Sequence, residues 1–95
     1  MSSAAQCKQL RIYGRVQGVG YRAAFAAEAE RLGISGWVRN RRDGSVEALV
    51  AGPPEAIEAI ERFAWNGPPL ARVERVEVHE SDESVGAGFV IRPTV

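Results

Sequence analysis

Gly14-Arg15-Val16-Gln17-Gly18-Val19-Gly20-Tyr21-Arg22 separates an alternating apolar segment from an amphipathic one, and its reading organises the rest of the chain. Before it, Leu10 and Ile12 alternate with Lys8, Gln9, Arg11 and Tyr13, the period of a strand with one buried face starting near Cys7. After it, Phe25, Ala29 and Leu32 fall at i, i+4 and i+7, with Glu28, Glu30 and Arg31 on the other faces. That spacing predicts a helix over 22–32, stopped by Gly33. The stretch is therefore a glycine-rich strand-to-helix loop, and such a loop suits a phosphate. Glycines let successive N–H groups converge on an anion, the helix start adds unpaired amides and a positive dipole end, and Arg22 supplies a planar fork of donors. The amides of Gln17, Gly18, Val19, Gly20, Tyr21 and Arg22 are the candidate cradle, and Val16 and Val19 seat it on the core.

Working outward, 34–40 and 45–51 read as strands, the second alternating Val46, Ala48 and Val50. Arg41-Arg42-Asp43-Gly44 joins them, and Asp-Gly marks a hairpin. Pro53-Pro54 opens a second helix in which Ile57, Ile60 and Phe63 or Ala64 form the apolar stripe, and Glu55, Glu58, Glu61 and Arg62 the wet side. Asn66-Gly67-Pro68-Pro69 ends it; Val73, Val76 and Val78 suggest a fourth strand, Phe89 and Ile91 a short last one. The order β-α-β-β-α-β with an extra strand fits the α+β class: a ferredoxin-like, split βαβ antiparallel sheet with two helices on one face. In that topology the first and third strands pair centrally, and the glycine loop opens within reach of the end of Trp37-Val38-Arg39-Asn40.

Ninety-five residues, 45% of them hydrophobic, make one modest core, expected over 7–95 behind a flexible segment 1–6. The formal net charge is zero, so no global field recruits nucleic acid or an anionic membrane. One cysteine and one histidine exclude an internal disulfide and a zinc site, so no metal is expected. No secretory leader or membrane-spanning run is readable, and a cytoplasmic monomer is the expectation.

Gly18-Val19-Gly20-Tyr21-Arg22-Ala23 also satisfies the loose dinucleotide pattern G-x-G-x-x-A. That pattern calls for an acidic residue at the end of the second strand, where this chain has Arg39-Asn40-Arg41-Arg42. A nucleoside-triphosphate loop, G-x-x-x-x-G-K-[ST], is absent. Taken alone, the loop reads more readily as a structural turn with a surface arginine than as a phosphate site.

A second segment decides the matter. Gly36-Trp37-Val38-Arg39-Asn40, three residues, Gly44-Ser45-Val46 and then Gly52, together with the first loop, closely resemble the paired signature of the acylphosphatase family. Gly67-Pro68-Pro69-Leu70-Ala71-Arg72-Val73 and Phe89-Val90-Ile91-Arg92 are similar to further segments of that family, so the likeness runs from Leu10 to Arg92. The resemblance implies a ferredoxin-like fold, hydrolysis of carboxyl-phosphate anhydrides and no cofactor. It matches Arg22 to the phosphate-binding arginine and Asn40 to the asparagine that orients the attacking water. The implied partners are a small acyl phosphate and the product phosphate. Three positions depart from the family pattern: Tyr21 replaces a usual phenylalanine, Arg41 a common small hydroxyl residue, and Arg92-Pro93-Thr94-Val95 an aromatic terminus.

The implied chemistry needs little. An acyl phosphate leaves as a carboxylate whose conjugate acid has a pKa of roughly 4, so no general acid is required. What remains is gathering phosphoryl oxygens, neutralising charge and placing a water in line. A neutral Asn40 can both accept from and donate to that water, where an aspartate would repel the anion.

Other residues read more simply as structure. Cys7 is a small filler, His79 is solvated on the outer face of the fourth strand, and Trp37 and Trp65 pack at the core or its edge. Arg39, Arg41 and Arg42 solvate the hairpin, in preference to gathering an anionic substrate. Two rival functions share the fold. An RNA-binding module would show K/R-G-F/Y-G/A-F-V-x-F/Y on the third strand, which instead reads Ser45-Val46-Glu47-Ala48-Leu49-Val50. A non-catalytic phosphate or acyl-phosphate binder, or a domain like the acylphosphatase-like one of hydrogenase maturation proteins, keeps the site without free-standing turnover. A free-standing enzyme is the reading preferred.

Overall fold

The computed structural model describes residues 5–95; residues 1–4 of the segment expected to be flexible lie outside the described residues. Strands β1 (Gln6–Arg15), β2 (Ser35–Asn40), β3 (Val46–Gly52), β4 (Arg72–Glu80) and β5 (Phe89–Ile91) form one sheet in the order β4-β1-β3-β2-β5. Helices α1 (Tyr21–Arg31) and α2 (Pro54–Asn66) pack on one face. The first four strands pair antiparallel with β1 and β3 at the centre, the α+β ferredoxin-like arrangement. The sheet is mixed, however, since β5 runs parallel to β2. After β4 at one edge, the chain crosses to the opposite edge through 81–88 and enters β5 in the direction of β2.

Alternation explains which side chains meet the helices. Leu10 and Ile12 of β1, Val38 of β2, and Val46, Ala48 and Val50 of β3 are fully buried against Tyr21, Phe25, Ala29, Ile57, Ile60 and Ala64. The second helix thus uses Ala64 as its last fully buried stripe residue, with Phe63 half-buried beside it. Leu32 packs against the core as its place on the first helix's stripe predicts and is also the helix C-cap, and Gly33 follows with φ 72°. Phe25 is the hub: its ring centroid lies 6.1 Å from Tyr21, 6.3 Å from Phe63 and 5.9 Å from Phe89. Burying a side chain of this size stabilises by about 2–3 kcal/mol.

The other sheet face carries Gln9, Arg11, Trp37, Arg39, Glu47 and Leu49. Trp37 is buried there with the guanidinium groups of Arg39 and Arg92 over its ring, 4.5 and 4.9 Å from the centroid. Trp65 departs from its expected packing role: at the end of α2 it is 52% exposed, because it lies off the buried stripe of Ile57, Ile60 and Ala64. His79 is exposed and Cys7 half-buried. Burial pushes the Cys7 thiol up despite a hydrogen bond from Ser81, so it is a poor nucleophile near neutral pH.

Candidate active site

The loop after β1 turns into α1 through two residues that few side chains tolerate. Gly18 and Gly20 have φ 73° and 81°, and Gly20 is the helix N-cap in the left-handed region. No side chain caps this helix start, and no acidic residue stands in its first turn. Ala24 N–H donates to Gly20 O at 3.1 Å, whereas the N–H groups of Tyr21, Arg22 and Ala23 have no backbone acceptor among the described residues. The positive end of α1 is thus open to an anion.

Two side chains fix the loop to the rest of the fold. Gln17 Nε2 donates to Arg41 O at 2.7 Å and to Ser45 O at 2.9 Å, tying the cradle to the β2–β3 turn. Tyr21, fully buried, donates its hydroxyl to Ala64 O at 2.7 Å, which supplies the partner its replacement of phenylalanine demands. Burial pushes the Tyr21 hydroxyl well up, so it stays a donor at every working pH.

The β2–β3 turn is itself ordered locally. Arg41 N–H donates to Ser45 O at 2.8 Å and Gly44 N–H to Arg41 O at 3.1 Å. Asp43 Oδ1 accepts from the Ser45 hydroxyl at 2.6 Å and the Ser45 amide at 2.9 Å, and these bonds hold its carboxyl below the usual range. On the far side, Arg42 N–H donates to Val95 O at 2.8 Å and Val95 N–H to Asn40 O at 3.3 Å. The end of β2 is therefore held from both flanks.

A cavity of about 250 Å³ opens between the loop and that strand end. Gln17, Gly18, Gly20, Tyr21, Arg22 and Asn40 line it, so six of the seven residues singled out from the sequence converge there. Val19 does not; it packs on the core as an anchor, alongside the fully buried Val16. Arg22 is half-buried and makes no side-chain hydrogen bond or ion pair among the described residues, so its fork of donors is uncommitted. Asn40 Oδ1 is buried and has no hydrogen-bond partner. A buried amide oxygen left unpaired carries a free-energy cost of about 1–3 kcal/mol that a bound water would remove.

Sequence reasoning missed two contributors. Ile91 lines the same cavity and is 49% exposed, an apolar wall brought from β5 by its parallel pairing. The side chain of Gln17, expected to contribute only its amide, joins the two halves of the site. The expected solvating role of Arg39 and Arg41 is corrected: their guanidinium groups bond Glu47 on the opposite sheet face, and only Arg42 is exposed. Among the described residues no three His, Cys, Asp or Glu side chains are placed to hold a metal ion. None of their helices is long and apolar enough to cross a membrane.

Similarity to known proteins agrees with this geometry. A family model, Acylphosphatase, matches residues 8–91. An acylphosphatase of Azoarcus sp. is 54% identical over 92 residues, covering 97% of this chain and 94% of that protein. The structure of an acylphosphatase from Coxiella burnetii superposes with a TM-score of 0.89 at 33% identity, covering 93% of each chain. The same fold recurs in full-length HypF, in its phosphate- and nucleotide-bound form, with a TM-score of 0.89 at 28% identity, over 99% of this chain but 13% of that one. A family model over nearly the whole sequence, and a relative matched end to end at more than half identity, make this chain a member of the acylphosphatase family.

Proposed function

We propose that this acylphosphatase cleaves the carboxyl-phosphate anhydride of small acyl phosphates with Arg22 and Asn40 as its catalytic residues. The phosphoryl oxygens sit at the open start of α1, held by the amides of Gln17 to Arg22 and by the Arg22 guanidinium. Asn40 holds a water in line with the bond to be broken. As the water oxygen bonds to phosphorus, the P–O bond to the acyl group breaks, the carboxylate departs with its electron pair, and both of the water's protons end on the phosphate product, which then exchanges them with solvent. Arg22 offsets the negative charge that builds as that bond loosens. The acyl group faces the open side of the cavity, beside Ile91 and Ala23.

One observation carries the reading: an uncommitted arginine and an unpaired, buried amide oxygen share a cavity with a helix start free of acid and cap. The same reading makes the protein a cytoplasmic monomer that works without a metal, a nucleic acid or a membrane. Hydrolysis of benzoyl phosphate beside an alkyl phosphate ester, in excess EDTA, tests it. Only benzoyl phosphate should turn over, at an undiminished rate, with inorganic phosphate a competitive inhibitor. Loss of activity in EDTA restored by a divalent ion, or equal cleavage of the ester, overturns it.

A further inference from the structure

Glu47 stands near the start of β3, only 4% exposed, on the sheet face away from the helices. In register it lies opposite Arg11 of β1 on one side and Arg39 of β2 on the other. Its Oε1 accepts from Arg39 Nε and from Arg41 Nη1, each at 2.9 Å. Its Oε2 accepts from Gln9 Nε2 and lies 3.8 Å from Arg11 Nη2. Burial pushes this carboxyl up, but the donors from Arg39 and Arg41, with Gln9, outweigh it and hold the group below the usual carboxylate range. It is an anion at neutral pH.

The two arginines are the chain neighbours of Asn40, one on each side. Asn40 turns toward the cavity, and the arginines turn to the opposite face, where one carboxylate oxygen binds both. From the cavity side, Gln17 holds the carbonyl of Arg41. Asn40 Oδ1 has no partner of its own, so its aim is inherited from this backbone. A misplacement of a positioned group by about 1 Å can reduce turnover by as much as 10²-fold.

We propose that Glu47 is a positioning residue for the hydrolysis: by binding the side chains of Arg39 and Arg41 together, it fixes the backbone of Asn40 and with it the place of the attacking water. The inference rests on the assignment of Asn40 to that water. It also gives Arg41, where the family commonly has a small hydroxyl residue, a task on the opposite face from the chemistry.

Glu47→Gln keeps the shape of the side chain and removes its charge. In this variant kcat should fall about tenfold, while KM and the inhibition constant of inorganic phosphate stay within about twofold, because the cradle is untouched. Glu47→Asp, which restores the charge, should recover part of the loss. Arg41→Met releases the same grip while the acid keeps its bonds to Arg39 and Gln9, and should show the same kcat-only loss, with the double variant less impaired than the product of the singles. All are assayed at a temperature where circular dichroism shows them folded. A kcat within about twofold of wild type in Glu47→Gln, or in Arg41→Met should Glu47→Gln not fold, overturns the proposal. So does a loss of phosphate affinity parallel to kcat, the mark of a merely structural role. Asn40→Ala in the same assay separates the two assignments: normal turnover there removes both, whereas an impaired Asn40→Ala beside a normal Glu47→Gln removes only Glu47.

Discussion

The two helices begin in opposite ways. At α2, Pro54 brings no N–H, Ala56 and Ile57 donate to Pro53 O at 3.0 and 3.1 Å, and Glu55 places a carboxylate against the positive dipole end. At α1, Gly20 offers neither cap nor charge, and the amides of Tyr21, Arg22 and Ala23 face a cavity unpaired. The first pattern satisfies a helix start from within the chain; the second leaves it for a ligand. A site of this kind is recognised by what local stabilisation the sequence withholds, as much as by the residues it supplies.

Removing the cation from the open start should have the largest effect. Arg22→Ala should lower kcat/KM for benzoyl phosphate by about 10³-fold or more, the scale of losing a positioned charge on a phosphoryl group. Arg22→Lys should stay folded yet remain badly impaired, since one ammonium cannot reproduce the fork. Steady-state kinetics with phosphate inhibition checks both, and a lysine variant with near-normal kcat/KM returns Arg22 to the surface.

Asn40→Ala comes next, with a fall in kcat of about 10²-fold and an unchanged phosphate inhibition constant, because the water and not the anion loses its partner. Should phosphate affinity fall with it, Asn40 belongs to the cradle instead.

A smaller change makes α1 resemble α2. Ala23→Glu places a carboxylate in the first turn of α1, where it should stabilise the helix by up to about 1 kcal/mol and weaken phosphate inhibition about tenfold by repulsion. Thermal melts and inhibition constants should therefore move in opposite senses; unchanged inhibition would mean that the anion does not sit at this helix start.

The smallest effect is on folding alone. Tyr21→Phe removes the hydroxyl bond to Ala64 O and leaves a buried carbonyl unpaired, a loss of about 1–3 kcal/mol by denaturant titration with kcat preserved. A fall in kcat instead would make the hydroxyl part of the chemistry.

Much of this was readable because turns and periodicity are local. Gly18, Gly20 and the Asp43-Gly44 pair announce the loop and the hairpin, and strand alternation places Leu10, Ile12, Val46 and Val50 in the core, so the topology brings Asn40 to the glycine loop. What escaped depends on partners far apart in sequence. Glu47 between Leu49 and Ser45 looks like any outward residue of a two-faced strand, and its burial follows only once Arg11 and Arg39 arrive from neighbouring strands and Arg41 from the turn after β2. The direction of β5, which makes Ile91 a wall of the cavity, has no sequence signal in three residues. Gln17 shows its amide in the motif, but its side-chain bond to Arg41 O requires the hairpin in place.

The central position of β1 has a kinetic consequence. Gln9 pairs with both Leu49 and His79, partners about forty and about seventy residues further on, so the sheet forms only after long loops close, at an entropic cost repaid late. Such a chain should fold on the slow side for its length. The glycine loop proposed to hold phosphate is tied to the β2–β3 turn through Gln17, and so cannot take its shape before those pairings. Inorganic phosphate therefore has nothing to bind in the unfolded chain and should act on the unfolding rate, slowing it in proportion to the occupied fraction, while leaving refolding from denaturant almost unaffected.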